Sequence, residues 1–225
     1  MGLTLNYDLR LPGDIAREDV LSRLTRLRAA AAAQHFDEVS PIVDASNLNP
    51  EPHEGEALAS AQRCIQFFAD FLAKPLPDDE EPRYVGDADS AIGFRIDPGE
   101  GAETATFGLL RRRAEVGDHE EWYWWCACKT QYASVVSEEH FVRVHTGLVA
   151  LLDVAVELGF VVDVRDEGGY WESRSEEVLV ESVRKMNRLI AKFGGALSDA
   201  LGEEHKIEAP IFEHRRFERL EMGED

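Results

Sequence analysis

Between Asp163 and Arg174 the chain reads Asp163-Val164-Arg165-Asp166-Glu167-Gly168-Gly169-Tyr170-Trp171-Glu172-Ser173-Arg174, its densest run of groups that could do chemistry. Asp166, Glu167 and Glu172 are carboxylates, and paired carboxylates can share acid–base work if one of them is desolvated. Gly168 and Gly169 would let a ligand come close to the backbone. Tyr170 and Trp171 offer stacking surface, and Arg174 adds a positive charge. The run joins a strand to a helix, a position where mixed folds often hold ligands. The same residues also suit an ordinary turn followed by aromatics that seal a sheet edge. Asp166, Glu167, Tyr170, Trp171, Glu172 and Arg174 are therefore candidate ligand-binding residues, and no residue is assigned a catalytic role.

Other constellations are weaker. His140 and His145 are the closest histidine pair in a helical pattern. Five residues at 3.6 per turn set them about 140° apart, too far around the helix to hold one ion. Their bland accounts are a helix-start His and a partly buried flank His. Glu51-Pro52-His53-Glu54-Gly55-Glu56 surrounds one imidazole with carboxylates, yet an exposed acidic loop explains it. His214, Glu218 and Glu221 interleave with Arg215, Arg216 and Arg219, the pattern of a solvated, ion-paired helix. Cys126 and Cys128 alternate along an apolar strand, which explains a C-x-C spacing by packing before metal or redox chemistry. Asp153 interrupts the apolar run Leu151–Val156 and belongs either at the edge of a helix stripe or, as a raised acid, inside it. No nucleophile elbow, zincin helix, phosphate-binding loop, dinucleotide glycine pattern or calcium loop occurs. No metal and no cofactor is expected.

Composition narrows the partners. The 225 residues carry a formal net charge of −20, which disfavours general attraction to nucleic-acid phosphates. The single basic run, Arg111-Arg112-Arg113, suits the solvated end of a strand. No apolar stretch is long enough to span a bilayer, and the opening residues lack a basic segment before an apolar one, so neither a membrane span nor a signal peptide is expected. Three cysteines cannot build a disulfide framework and fit a reducing cytoplasm. The expected partners are a protein or a second copy of the chain, with no nucleic acid and no membrane.

The elements that must position these groups follow from periodicity. Leu3, Leu5, Tyr7, Leu9 and Leu11 alternate with polar residues, which predicts a strand wet on one face. Pro12-Gly13-Asp14 stops it, with Asp14 as cap of a helix carrying Val20, Leu21, Leu24, Leu27 and Ala31. A strand over Phe36–Val43 and a helix striped by Leu58, Ala61, Ile65, Phe68 and Leu72 follow. After the acidic, Pro-rich connector 75–82 come strands at Ala91–Asp97 and Thr104–Leu110. A third strand, Trp122–Tyr132, is apolar on both faces and so is expected to be central and covered on both sides at least at its first half. Ser137 caps a helix that Gly159 ends, Phe160–Val164 is a strand, and Ser175 caps a last helix that Gly194-Gly195 should kink or interrupt near its end.

The order strand–helix–strand–helix occurs twice, over 1–74 and 91–202. Glu18-Asp19-Val20-Leu21 overlies Glu139-His140-Phe141-Val142, and Leu58 overlies Leu179, at one displacement of 121 residues. The expectation is a single α+β domain over 1–225. Two pseudo-repeated units would surround one mixed or antiparallel sheet in a ferredoxin-like two-layer sandwich with extensions, and 203–225 would form a charged tail.

The opening Met1-Gly2-Leu3-Thr4-Leu5-Asn6-Tyr7, followed by a helix and Glu38-Val39-Ser40-Pro41-Ile42-Val43, resembles a group of bacterial hypothetical proteins that begin in the same way. The likeness covers about the first forty residues. It implies a bacterial, cytosolic origin and carries no activity or site residue. The leading expectation is an acidic, non-catalytic binding or interaction protein. The alternatives are a small hydrolase built on 166–174, and an immunity- or antitoxin-like protein that neutralises a basic partner.

Overall fold

The computed structural model describes residues 3–44, 59–60, 63–64, 90–113, 119–201 and 222. It is an α+β arrangement of seven strands in one antiparallel sheet with helices packed on it. The first strand, β1 (Thr4–Pro12), forms where the sequence alternates: its odd residues Leu5, Tyr7, Leu9 and Leu11 are buried, its even residues from Thr4 to Arg10 are half-exposed and Pro12 is exposed. Pro12 then accepts the Ile15 N–H in a turn that takes in Asp14. Helix α1 (Arg17–Ala32) therefore starts on Ala16 without a side-chain cap, and Asp14 does not cap it. Val20, Leu24, Leu27 and Ala31 lie buried on its core side.

The strand expected over Phe36–Val43 is split into β2 (Glu38–Val39) and β3 (Val43–Asp44). Both pair with β4 (Ser90–Asp97), Val39 against Ile96 and Val43 against Gly93, so four steps on one side face three on the other. That is a bulge of one residue. Ser40 manages it: its hydroxyl accepts the Arg95 N–H at 2.9 Å, and its carbonyl takes the Arg28 guanidinium at 2.5 Å. A hairpin leads to β5 (Ala105–Arg113) and then to β6 (Glu120–Lys129). After the short α2 (Ala133–Val136) comes α3 (Glu138–Glu157), capped by Ser137, whose hydroxyl accepts the His140 N–H. Then follow β7 (Val161–Asp166), the single turn α4 (Tyr170–Ser173) and α5 (Glu176–Leu201).

Across the sheet the order is β2-β4-β5-β6-β1-β7, with β3 beside β2 on β4. Every neighbouring pair is antiparallel. The meander β4-β5-β6 thus returns the chain to β1, and α3 carries it over β1 to the edge position of β7. The largest buried side chains, Trp122, Trp124, Tyr7, Phe94 and Phe107, share the core with Leu24 and Leu27 of α1 and Leu148 and Leu152 of α3.

Three expectations change. The β6 strand is not covered alike on both faces. Trp122, Trp124, Cys126 and Cys128 point into the core, while Tyr123 and Ala127 are half-exposed and Trp125 is exposed. The Tyr123 ring is covered instead by the Arg112 guanidinium 3.5 Å from its centre, with Arg10 further out at 5.6 Å, and cation–π contact substitutes for a packed layer. Gly194-Gly195 does not interrupt α5, which runs on to Leu201; both glycines are buried in its wall. The strands expected at Ala91–Asp97 and Thr104–Leu110 are β4 and β5, which gain Ser90 at one end and Arg111–Arg113 at the other and leave Thr104 outside. The helix striped by Leu58–Leu72, the loop at His53, the connector 75–82 and the tail with His214 lie outside the described residues, apart from helical positions 59–60 and 63–64.

The hairpin between β4 and β5 depends on Gly101, which sits at φ +80° with the Tyr132 carbonyl oxygen 2.3 Å from where a Cβ would be. Backbone cannot move aside as a side-chain tip can. Gly101→Ala should therefore cost about 1–3 kcal/mol. A circular-dichroism melt should show it as a Tm lower by about 2–4 °C per kcal/mol; an unchanged Tm would mean that the contact is relieved at no cost.

Candidate functional site

The end of β6, the middle of α3 and the end of β7 meet at one buried polar cluster. Alternation along β7 turns Val162, Val164 and Asp166 to the side of β1 that carries Leu5, Tyr7 and Leu9. Asp166 therefore points inward, and its side chain is fully buried. On α3, His145 falls within the stripe Phe141, Val144, Leu148 and Leu152, and it too is fully buried. Its Nε2 lies 3.1 Å from Asp166 Oδ2, and its Nδ1 lies 2.9 Å from Thr130 Oγ1. A carboxylate accepts, so Nε2 carries a hydrogen and donates it to Asp166, while Nδ1 shares a hydrogen bond with the Thr130 hydroxyl, which can donate or accept.

Asp166 has further donors. Oδ1 accepts the Gly168 N–H at 2.7 Å and Oδ2 the Trp171 N–H at 2.9 Å. Burial pushes its carboxyl up, but His145 and these two backbone N–H groups outweigh that and hold it below its ordinary value. The Phe141 and Tyr170 rings wall the imidazole at 5.7 and 6.4 Å between ring centres. Gly168 packs close to the same cluster: a Cβ there would stand 2.7 Å from the tip of Leu179 and 3.2 Å from the His145 ring.

A second buried chain of polar groups runs alongside. Leu3 donates its N–H to Gln131 Oε1 at 3.1 Å and accepts the Thr130 N–H. Gln131 Nε2 donates to Asn187 Oδ1 at 2.8 Å, and Asn187 Nδ2 donates to Ser134 Oγ at 2.9 Å. Together the two chains tie the start of β1, the end of β6, α2, α3, the end of β7 and α5. Each buried polar side chain of these two chains has a partner, which is what such burial requires.

The sequence candidates do not converge. Asp166 turns inward to His145. Glu167 turns out and accepts the Thr4 N–H at 3.0 Å. Tyr170 and Trp171 are half-buried against the core, as aromatics that seal a sheet edge would be. Glu172 is exposed. Arg174 makes a paired contact to Asp153 at 2.7 and 2.9 Å and lies 4.5 Å from the Trp171 ring. Asp153 is thus the edge residue of its helix. The sequence places His145 as a partly buried flank residue, whereas the structure buries it fully within the stripe of its helix; nothing in the sequence singled out Thr130.

Hydroxyl, imidazole and carboxylate in a row are the groups of a hydrolytic triad. Here the hydroxyl, the ring and the carboxylate are all closed off from solvent, so no external substrate touches them. The grooves among the described residues lie elsewhere. One of about 610 Å³ opens between Pro12, Asp14, Arg111 and Glu121, and a polar one of about 110 Å³ lies between Ser40, Ser60, Arg95 and Asp97. Among the described residues no three His, Cys, Asp or Glu side chains are grouped to hold a metal ion. Burial raises the thiols of Cys126 and Cys128, and that of Cys64 to about 11, which keeps them protonated and unreactive.

Fold and site together define an α+β protein with one open antiparallel sheet and a sealed polar cluster at one end of it. No protein-family model, curated protein or solved structure matches the chain. Among the described residues no helix is long and apolar enough to cross a membrane.

Proposed function

We propose that the protein is a non-catalytic, acidic interaction protein that binds a basic protein partner across the outer face of β6, β1 and β7. The observation that carries this reading is the composition of that face. Tyr123 and exposed Trp125 on β6 stand beside Asp8 and Arg10 on β1, opposite Asp163 and Val161 on β7. Trp, Tyr and Arg are the residue types that dominate binding energy at protein interfaces. The net charge of −20 favours a partner of the opposite sign and speeds its approach. A hydrolase would need Asp166, Glu167 and Glu172 around one pocket, and they face three ways.

Two structural readings belong with this proposal. The halves are a pseudo-repeat: β1–α1–β2 and β6–α3–β7 each join strands of one direction through a helix, and the displacement of 121 residues lays α1 over α3. The layout is then a ferredoxin-like sandwich with the β4–β5 hairpin added inside the sheet. The likeness of the first forty residues supports a bacterial cytoplasmic setting.

The test is affinity capture from an extract of the source organism with the full chain and with Trp125→Ala. A basic protein should be retained by the parent, released as salt rises, and held at least tenfold less well by the variant, a loss of about 1.4 kcal/mol or more. Retention that ignores both salt and Trp125, or the lack of any specific partner, would overturn the proposal.

A further inference from the structure

We propose that β7 pairs antiparallel with β7 of a second copy of the chain, about a two-fold axis through Val164. The inference stands on the edge of the sheet and does not depend on the outer-face reading above. Among the described residues β7 has a single neighbour, β1. The Glu167 N–H bonds to the Thr4 carbonyl, and backbone groups in an antiparallel ladder alternate in direction. Arg165, Asp163 and Val161 therefore direct their N–H and C=O groups to β1, whereas those of Val162 and Val164, and the N–H of Asp166, face away from the sheet. Six residues of open edge are a template for strand addition.

The side chains select the occupant and the register. Outward-facing backbone must meet outward-facing backbone, which restricts the pairing to a few alignments. Centred on Asp163, the strands would oppose Asp163 to the partner's Asp163. Centred on Arg165, they would oppose Arg165 to the partner's Arg165. Centred on Val162, they would leave Asp163 against the partner's Val161. Centred on Val164, they set Asp163 against the partner's Arg165 twice, once on each side of the axis, and give two backbone hydrogen bonds between the two Val164 residues. Directly opposed side chains lie about 4.5–5.5 Å apart at Cβ, so each pair is within ion-pair reach. Arg165 is available for it: its side chain is 83% exposed, and among the described residues its ion pair, to Glu167, is long at 3.9 Å. The repulsion between two chains of charge −20 is spread over the surface and is screened beyond about 8 Å at physiological salt, while the four opposed charges are in contact.

The experiment is sedimentation velocity on the full chain from about 1 to 100 μM at physiological salt, a span that covers ordinary dimer affinities. The expected species is twice the 25.2 kDa chain. Arg165→Asp, which opposes two like-charge pairs, should raise the dimer dissociation constant about tenfold or more. Combining it with Asp163→Arg restores opposite charges in the reversed sense and should restore the dimer. Val164→Pro removes the outward N–H at a position where an edge strand tolerates proline, and should give a folded monomer by circular dichroism. A parent that stays monomeric throughout, a dimer indifferent to Arg165→Asp, or a double variant that fails to recover the dimer would each overturn the proposal. Pairing of this edge with a different protein's segment would show itself as the first of these.

Discussion

Asp166→Ala should destabilise the protein by about 3–5 kcal/mol, because it removes a buried carboxylate on which several donors end. The mechanism is the number of donors it would orphan. His145 Nε2–H, the Gly168 N–H and the Trp171 N–H all end on this one carboxylate. Each buried donor left without an acceptor costs about 1–3 kcal/mol. Asp166→Asn keeps an acceptor but replaces one oxygen with an amide donor aimed at a donor, so a smaller loss is expected. In urea unfolding at pH 7 the order should be parent, Asp166→Asn, Asp166→Ala. A double-mutant cycle with His145→Ala should return a coupling of about 1–3 kcal/mol, since the two side chains touch. If Asp166→Ala unfolded within about 1 kcal/mol of the parent, the cluster would hold no structural role.

The pH dependence follows from the sign of the shift. The folded state holds the Asp166 carboxyl below its ordinary value, so the unfolded chain takes up the proton first as pH falls. The stability it contributes is complete above the ordinary carboxyl range of about 4, and it is lost as pH drops from there through the lowered folded value. Asp166→Asn should flatten that part of the acid limb and leave the neutral region parallel to the parent. An acid limb of the same slope in both proteins would assign the effect to other carboxylates.

Much of this cluster was present in the sequence as pattern. The alternation of Leu3 to Leu11 yields β1 with its buried face in the right sense, because a period of two fixes which side each residue takes. The stripe Phe141, Val144, Leu148, Leu152 passes through position 145, so the burial of His145 was legible from helical spacing alone. Asp166 was legible too, had the strand been continued past Val164: it shares the parity of Val162 and Val164 and must face the same way. What no spacing conveys is that the ends of β6 and β7 flank the start of β1. That adjacency comes from the strand order, and only it brings Thr130, fifteen residues from His145, under the same ring.

The loop 166–174 shows the opposite case. Its residue types are those of a ligand site, but the strand's parity had already committed Asp166 to the interior, and a tight turn leaves Glu167 and Glu172 pointing elsewhere. The Trp-rich strand misled because apolar composition on two faces was taken as burial on two faces, whereas long Arg side chains cover part of an aromatic face while keeping their charge in water.

Trp124→Ala should be the other large loss, about 3–5 kcal/mol in the same assay, as for deletion of a buried aromatic from a core. Trp124 stands where the sheet itself is incomplete. The β5–β6 ladder pairs Leu110 with Tyr123 through to Arg113 with Glu120. Beyond it Thr106 bonds to side chains: its N–H lies 3.4 Å from Cys126 Sγ, and its carbonyl accepts both the Tyr7 hydroxyl at 2.8 Å and the Trp124 indole N–H at 3.0 Å. Tyr7 stacks on Phe107 at 5.0 Å, and Phe107 on Phe94 at 5.7 Å, so the same wedge continues into the aromatic core. Two donors on one carbonyl make a sharper test than truncation. Trp124→Phe and Tyr7→Phe each leave the Thr106 carbonyl one of these two donors and should cost about 1–2 kcal/mol through the bond removed. Together they leave a buried carbonyl with neither, so the double variant should lose more than the sum of the singles by about 1 kcal/mol or more. Strict additivity would mean that the strands close over the gap and that the side chains only fill it, whereas a surplus identifies Tyr7 and Trp124 as the hydrogen-bonding substitute for the missing ladder.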